Sequence, residues 1–272
     1  MLPGTRRDVA EARHNRRRAL LIVGVPAAVV FAIVTLACVA AGLGVVGAVA
    51  GVAVGAVVWV WLWRGATRLV LRALGVRDGG DVELARAENI VDGLCATMGV
   101  DAPDIVVVDD TARRALAVGR NSGAAVLVVT SGLLHALDPV ALEGVLAHEL
   151  VHVKRGDIAP ATMAAALLLP WASFLPVAGL VHALAGRGRE FRTDRLAVAV
   201  TRFPPGLRDA LVVMVDGPAP VPPSRLAERG VAAATRWLWT VPLPGAPGEA
   251  RDEDGVGELD APAVRIAALD EW

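Results

Sequence analysis

The sequence predicts a mainly α-helical fold with a small β-sheet (an α+β domain), attached to an N-terminal pair of transmembrane helices. Three observations support this class. Residues 19–63 carry no charged side chain, residues 139–155 repeat apolar side chains at helical spacing, and residues 105–130 contain three short runs typical of strands. With 55% hydrophobic residues and a mean hydropathy of +0.54, the chain is more apolar than an ordinary soluble domain.

The uncharged run at residues 19–63 is long enough for two membrane-spanning helices. A helix needs about 20 apolar residues to cross a bilayer, and Gly42-Leu43-Gly44 can form the turn between two such spans. A signal peptide is disfavoured because the run is too long, while a buried helix pair in a soluble protein is the remaining alternative. Arginines flank both ends of the run, in a basic arm at residues 1–18 and just after residue 63. The positive-inside tendency therefore predicts a multi-pass protein of the cell membrane, with residues 64–272 facing the cytoplasm.

The elements that surround the central helix follow from shorter patterns. Asp81 is a candidate cap for a helix over residues 84–98. Three strands are predicted, and an edge of their sheet, either Ala115–Val118 or Val126–Thr130, could pair with an extended chain. Further helices are predicted at Gly206–Val215, Leu226–Leu238 and Leu259–Leu269, with a loop over Pro242–Gly257.

The most specific motif is His148-Glu149-Leu150-Val151-His152, a HExxH sequence. Asp138 and Pro139 are typical of a helix start and Gly156 of a helix end, so the motif lies on a helix. Residues four apart share a helix face, so both imidazoles can bind one metal ion. This pair is typical of catalytic Zn²⁺ sites, and Glu149 would lie beside the open coordination position of the ion.

A third ligand has to come from another segment, and Glu190 is the candidate. Glu190 and Asp194 are four residues apart on a predicted helix. A carboxylate would complete a His₂Glu zinc site, and the second acid could accept the spare ring N–H of a ligand histidine. The alternative is a surface helix whose acids pair with neighbouring arginines. The weaker candidates for the third ligand are His14, His135 and His182.

A second uncharged run at residues 158–186 separates the HExxH helix from Glu190. A single crossing of the membrane would place Glu190 on the far side from both histidines, and two full crossings need about 40 residues, more than this run contains. We therefore expect a short hydrophobic hairpin, bent near Pro170–Pro176, that dips into the bilayer or packs beside the membrane helices.

Charge and cysteine content exclude some classes of partner. The net charge of -1 indicates no nucleic-acid partner, whereas the N-terminal arginines fit contact with the anionic surface of a lipid bilayer. Cys38 and Cys95 are the two cysteines, which is no disulfide framework and fits a reducing compartment. No pattern in the sequence predicts the oligomeric state.

Residues 83–216 resemble the M48 family of zinc metallopeptidases. The resemblance rests on the HExxH motif, on Glu190 and Asp194, and on the strand at Ala102–Val108. It implies a zincin-like catalytic domain, with His148, His152 and Glu190 as zinc ligands, Glu149 as general base and Asp194 behind a ligand histidine. The chain departs from the family pattern in two places. Arg114–Ala117 replaces Asn-Ala-Phe-Ala, and the C-terminal motif at Asp260–Ile266 lacks the family's histidine.

The function expected from these features is that of a membrane-bound zinc-dependent endopeptidase acting on polypeptides. The resemblance implies a role in the quality control of membrane proteins. Arg265 aligns with an arginine of the family's C-terminal motif and is a candidate to stabilise the oxyanion, while a salt bridge to a nearby acid is the alternative. Two other functions stay open: an M56-like signalling peptidase, and a zinc-binding membrane scaffold with impaired catalysis.

Overall fold

The computed structural model describes residues 6–77, 82–185, 189–243 and 261–272, and within them it confirms a mainly helical fold with one small sheet after two long apolar helices. Asp81, residues 244–257 of the predicted loop and the first two residues of the predicted final helix lie outside these ranges. The helices are α1 Arg6–Ala40, α2 Gly44–Leu74, α3 Val82–Met98, α4 Ser131–Ala136, α5 Pro139–Arg155, α6 Ile158–Leu168, α7 Ala178–Ala185, α8 Glu190–Thr201, α9 Pro204–Val215, α10 Arg229–Thr235 and α11 Pro262–Asp270; the strands are β1 Asp104–Val108, β2 Ala115–Gly119 and β3 Ala125–Thr130.

Helices α1 and α2 are each long and apolar enough to cross a membrane, and they pack against each other as a hairpin. Helix α1 begins at Arg6, so the described part of the predicted basic arm continues the helix of the first apolar span. Three buried glycines of α2, four residues apart, face Cys38, Thr35 and Phe31 of α1; they are Gly47, Gly51 and Gly55. Small residues at this spacing let two membrane helices approach closely.

Replacing Gly51 with leucine should weaken this hairpin. A side chain at position 51 would meet Thr35 and the backbone of Phe31, and overpacking of this kind typically costs about 1–3 kcal/mol. We expect a lower Tm in detergent for Gly51→Leu than for Gly65→Leu, a control on the same helix where a Cβ meets nothing within 4 Å. Equal Tm values for the two variants would show that the close approach contributes nothing.

The sheet forms a layer between two groups of helices. Its strand order is β1-β3-β2, with β1 parallel and β2 antiparallel to β3. Leu127 and Val129 pack in the cluster that includes α3, α5 and α9, while Leu116 and Val128 pack in the cluster that includes α2 and α6. Ala115–Val118 therefore lies at a sheet edge. The alternative edge at Val126–Thr130 is wrong, because β3 pairs on both sides.

The second uncharged run folds into two short helices. Helix α6 packs against α1, α2 and β2, and α7 packs back onto α6. The connection between them exposes three large apolar side chains, those of Trp171, Phe174 and Leu175. After α7 the chain reaches α8 beside α5.

One predicted helix is interrupted. The sequence predicts a continuous helix at Leu226–Leu238, but Glu228 has an extended backbone (φ -69°, ψ 124°) that separates a helical turn at Arg225–Ala227 from α10. A further turn of 3₁₀ helix at Arg236–Leu238 follows α10 and leads to the buried residues Trp239 and Thr240.

Candidate metal centre

Local signals fix the helix that carries the HExxH motif. The Asp138 carboxylate accepts hydrogen bonds from the N–H groups of Val140 and Ala141, which caps the start of α5. Gly156 ends the helix in the left-handed region (φ 69°). Between these two ends His148 and His152 lie one turn apart, and both are buried.

The structure brings Glu190 of α8 to the two histidines. Glu190 Oε2 lies 3.0 Å from His148 Nε2 and 3.4 Å from His152 Nε2, and the two Nε2 atoms are 3.2 Å apart. Bonds of about 2.0–2.1 Å to a tetrahedral Zn²⁺ separate neighbouring donor atoms by about 3.3 Å. The donor set and its spacing therefore fit a zinc ion. Within the described residues these three side chains form the one cluster of its kind able to hold a metal ion.

Each of the three side chains also contacts a charged partner, through the atom that faces away from the metal position. His148 Nδ1 lies 2.8 Å from Asp194 Oδ1, and His152 Nδ1 lies 3.3 Å from Asp157 Oδ2. The second oxygen of Glu190 accepts a hydrogen bond of 2.8 Å from Arg189 Nε. Partners of this kind fix the ring tautomer and orientation and direct one carboxylate oxygen toward the metal position.

The charges of the cluster are coupled. Burial by itself would lower the pKa of both histidines, but contacts with Asp194 and Glu190 raise the pKa of His148, and Glu190 with Asp157 raises the pKa of His152 to about 9. Burial opposes ionisation of Glu190 as well, yet the nearby histidines and Arg189 hold its pKa well below the usual value. The carboxylates thus favour positive charge at the imidazoles, and a divalent cation would supply that charge while requiring neutral histidine ligands.

Glu149 lies on α5 between the two histidines and is buried under the segment that follows α10. Its Oε1 atom accepts a hydrogen bond of 2.5 Å from the Thr240 hydroxyl. The Thr240 N–H donates to the carbonyl of Ala115, the first residue of the edge strand β2. Thr240 therefore links the candidate general base to the edge of the sheet.

Arg265 of α11 is completely buried and pairs with Asp194. Its Nε and Nη2 atoms lie 2.6 and 2.8 Å from the two oxygens of Asp194, and Nη1 donates to the Thr240 carbonyl at 2.6 Å. The salt bridge to Asp194, which in turn contacts His148, is the contact that the structure shows for Arg265. Nη1 also lies 4.0 Å from Glu190 Oε2, so the guanidinium is close to the metal position, and the oxyanion role stays a prediction.

The weaker ligand candidates lie elsewhere. His135 Nδ1 contacts the Ser131 carbonyl of its own helix at 2.7 Å, His182 stacks on Trp237, and His14 is exposed on α1. Sequence reasoning missed Asp157, Arg189 and Thr240. Asp157 follows the helix stop Gly156 directly, and Arg189 precedes Glu190, so proximity to the named ligands was a usable signal for both. Thr240 has no local signal, since it is far from Glu149 along the chain.

A HExxH helix joined by a carboxylate from a second helix defines the site of a metallopeptidase, and comparison with known proteins agrees. Residues 83–215 match the model of Peptidase family M48. A relative from Acidiphilium cryptum named "Protease HtpX homolog" is 31% identical over 227 residues, which cover 72% of this chain and 78% of that relative. The chain belongs to peptidase family M48.

Other curated relatives match a shorter part of the chain. The "Protease HtpX homolog" of Dictyoglomus thermophilum is 31% identical over 184 residues, which cover 56% of this chain and 61% of the relative. The "Protease HtpX homolog 2" of Methanosarcina mazei is 32% identical over 181 residues, with 53% and 60% covered. The chain thus spans less than two thirds of these relatives. No solved structure matches it.

Proposed function

We propose that this chain is a zinc-dependent endopeptidase of the membrane that hydrolyses peptide bonds in polypeptide substrates. The observation that carries the proposal is the convergence of His148, His152 and Glu190 at the donor spacing of a tetrahedral ion, with Glu149 on the same helix. Family membership supports the protease activity. Zinc is proposed because two imidazoles and one carboxylate are its usual donors at catalytic sites.

The side chains have separate tasks in this proposal. His148, His152 and Glu190 would hold the ion, which when bound would acidify a water molecule and polarise the scissile carbonyl. Glu149 accepts the proton of the attacking water and returns it to the leaving amine. The Thr240 hydroxyl engages Oε1 of Glu149 and leaves the other carboxylate oxygen for this transfer. Asp194 and Arg265 orient His148, and Asp157 orients His152.

The membrane location follows from the two apolar helices. Both ends of the α1–α2 hairpin are rich in arginine, which supports a multi-pass protein with the metal site on the cytoplasmic side. The exposed apolar side chains of Trp171, Phe174 and Leu175 fit contact with the lipid bilayer. Misfolded membrane proteins are the proposed substrates, since they would reach a site held at this surface.

Two other functions make different predictions. A zinc-binding scaffold without catalysis would bind the ion and cleave nothing. A signalling peptidase of the M56 type would cleave a dedicated partner only when a ligand is present. The match to Peptidase family M48 over residues 83–215 favours the general protease over the signalling type.

The test combines metal analysis with a cleavage assay of the full chain in detergent. We expect about one zinc ion per chain in the wild type, cleavage of casein or of an unfolded membrane protein, and loss of both in Glu190→Ala, because the site loses one of three ligands. Glu228→Ala is the control, since Glu228 is an exposed acid paired only with the surface residue Arg225 in the described contacts. Zinc without cleavage in the wild type would favour the scaffold, and no zinc would contradict the proposed site.

A further inference from the structure

We infer that Asn15, on the first membrane helix, is a positioning residue for the metal ligand His152. The inference rests on the proposed function, because it concerns the geometry of the same metal site. It adds a residue from outside the matched peptidase region, which begins at residue 83.

A continuous chain of buried contacts joins Asn15 to the metal position. Asn15 Nδ2 donates to Asp157 Oδ1 at 2.5 Å, and Asp157 Oδ2 lies 3.3 Å from His152 Nδ1. Asn15 and Asp157 are 7% and 5% exposed, and both line a polar pocket that opens to the surface. His152 then presents Nε2 to Glu190 and His148. Asn15 therefore acts on the metal position through two intermediates.

The chemistry of the amide suits this role. A carboxylate in contact with a ligand histidine has one oxygen left over, and Asn15 supplies a neutral donor for that oxygen. The same Nδ2 atom donates to the Arg155 carbonyl at 3.2 Å, near the end of α5. Asp157 Oδ2 also pairs with Arg155 Nη1 at 3.3 Å, so the amide and the guanidinium together fix the carboxylate plane and with it the ring of His152.

The contacts around Asn15 show that this end of α1 is seated on the catalytic helices. Glu11 lies 3.2 Å from Arg155 Nε and 2.5 Å from Arg192 Nη2, which belong to α5 and α8. Arg18 Nη2 donates to the Leu184 carbonyl of α7 at 2.9 Å. These ion pairs and hydrogen bonds lie within two turns of α1 and surround Asn15. A displacement of α1 relative to the domain would break the contact with Asp157. The packing of this membrane helix and the zinc affinity of the site are therefore linked.

The experiment measures zinc affinity of the full chain in detergent by competition with a chromogenic chelator. We expect Asn15→Ala to weaken zinc binding by about 10-fold, the lower end of the range found when the direct partner of a metal ligand is removed, because Asn15 contacts Asp157 and not His152. Arg16→Ala, the neighbouring exposed position on the same helix, should bind zinc as the wild type does. Asn15→Asp keeps the size of the side chain but replaces the donor with an acceptor. It should weaken binding in the same way, and it provides the test if Asn15→Ala does not fold.

A double-mutant cycle separates positioning from a general loss of packing. If Asn15 acts through Asp157, its removal should change zinc affinity little in an Asp157→Ala background. Additive effects of the two substitutions would overturn the inference, and so would unchanged zinc affinity in Asn15→Asp. Failure of the wild type to bind zinc would overturn the proposed function together with this inference, whereas zinc binding that the Asn15 variants leave intact overturns the inference alone.

Discussion

Glu149→Gln is expected to reduce peptide hydrolysis by at least about 10²- to 10⁴-fold, the range that a positioned general base contributes, while zinc content stays at the wild-type level. The glutamine amide has nearly the same shape as the carboxylate, and its oxygen can still accept the hydrogen bond from Thr240. It cannot take a proton from water at neutral pH. The measurement is cleavage of an unfolded membrane substrate next to zinc analysis of the same sample.

The matched control for this substitution is Glu143→Gln, on the same helix but outside the metal cluster. It should cleave at the wild-type rate, because α5 keeps its length and its apolar packing. Equal loss in both variants would assign the effect to the helix and not to the base. Full activity of Glu149→Gln would remove Glu149 from the proposed mechanism.

Arg265→Met is expected to destabilise the fold by about 3–5 kcal/mol, since it leaves the buried carboxylate of Asp194 without its cation. The effect should appear as a large drop in Tm or in the denaturant midpoint of the full chain. Asp194 would then be free to turn away from His148, so weaker zinc binding should accompany the loss of stability.

Arg208→Met is the control for Arg265→Met. Arg208 pairs with Asp209 and with Asp270 of α11, but both pairs lie on the surface, where an ion pair contributes little. This variant should therefore unfold close to the wild type. If Arg265→Met instead unfolds like the wild type, keeps its zinc and loses only catalysis, the result would support the oxyanion role predicted from the sequence.

Local signals made the central helix predictable to within a residue. Asp138, Pro139 and Gly156 act over two or three neighbouring residues, and the spacing of His148 and His152 is fixed by helix geometry alone. The three strands were predictable for the same reason. Glu190 could be chosen only with a topological argument: residues 158–186 are too short for two crossings, so a hairpin was the fold that allowed it to reach the histidines.

The remaining parts of the site depend on distant contacts that leave no local pattern. Thr240 and Glu149, or Asn15 and Asp157, meet because segments that are far apart along the chain pack together. The sequence alone leaves two roles open for Arg265, stabilisation of the oxyanion and an ion pair, because both require a positive charge. Only its burial and contacts in the fold bear on the choice. The edge strand was equally open, since strand order depends on pairing and not on composition.

The unbroken course of α1 from Arg6 to Ala40 has a practical consequence for anyone wishing to isolate the peptidase portion. A recombinant fragment that starts after Leu74 would lose the amide that faces Asp157. It would also lose Val70 and Leu74, which fill the underside of the sheet. Such a fragment would lack part of the packing under the sheet and one contact of the metal site. Biochemical work should therefore keep α1 and α2.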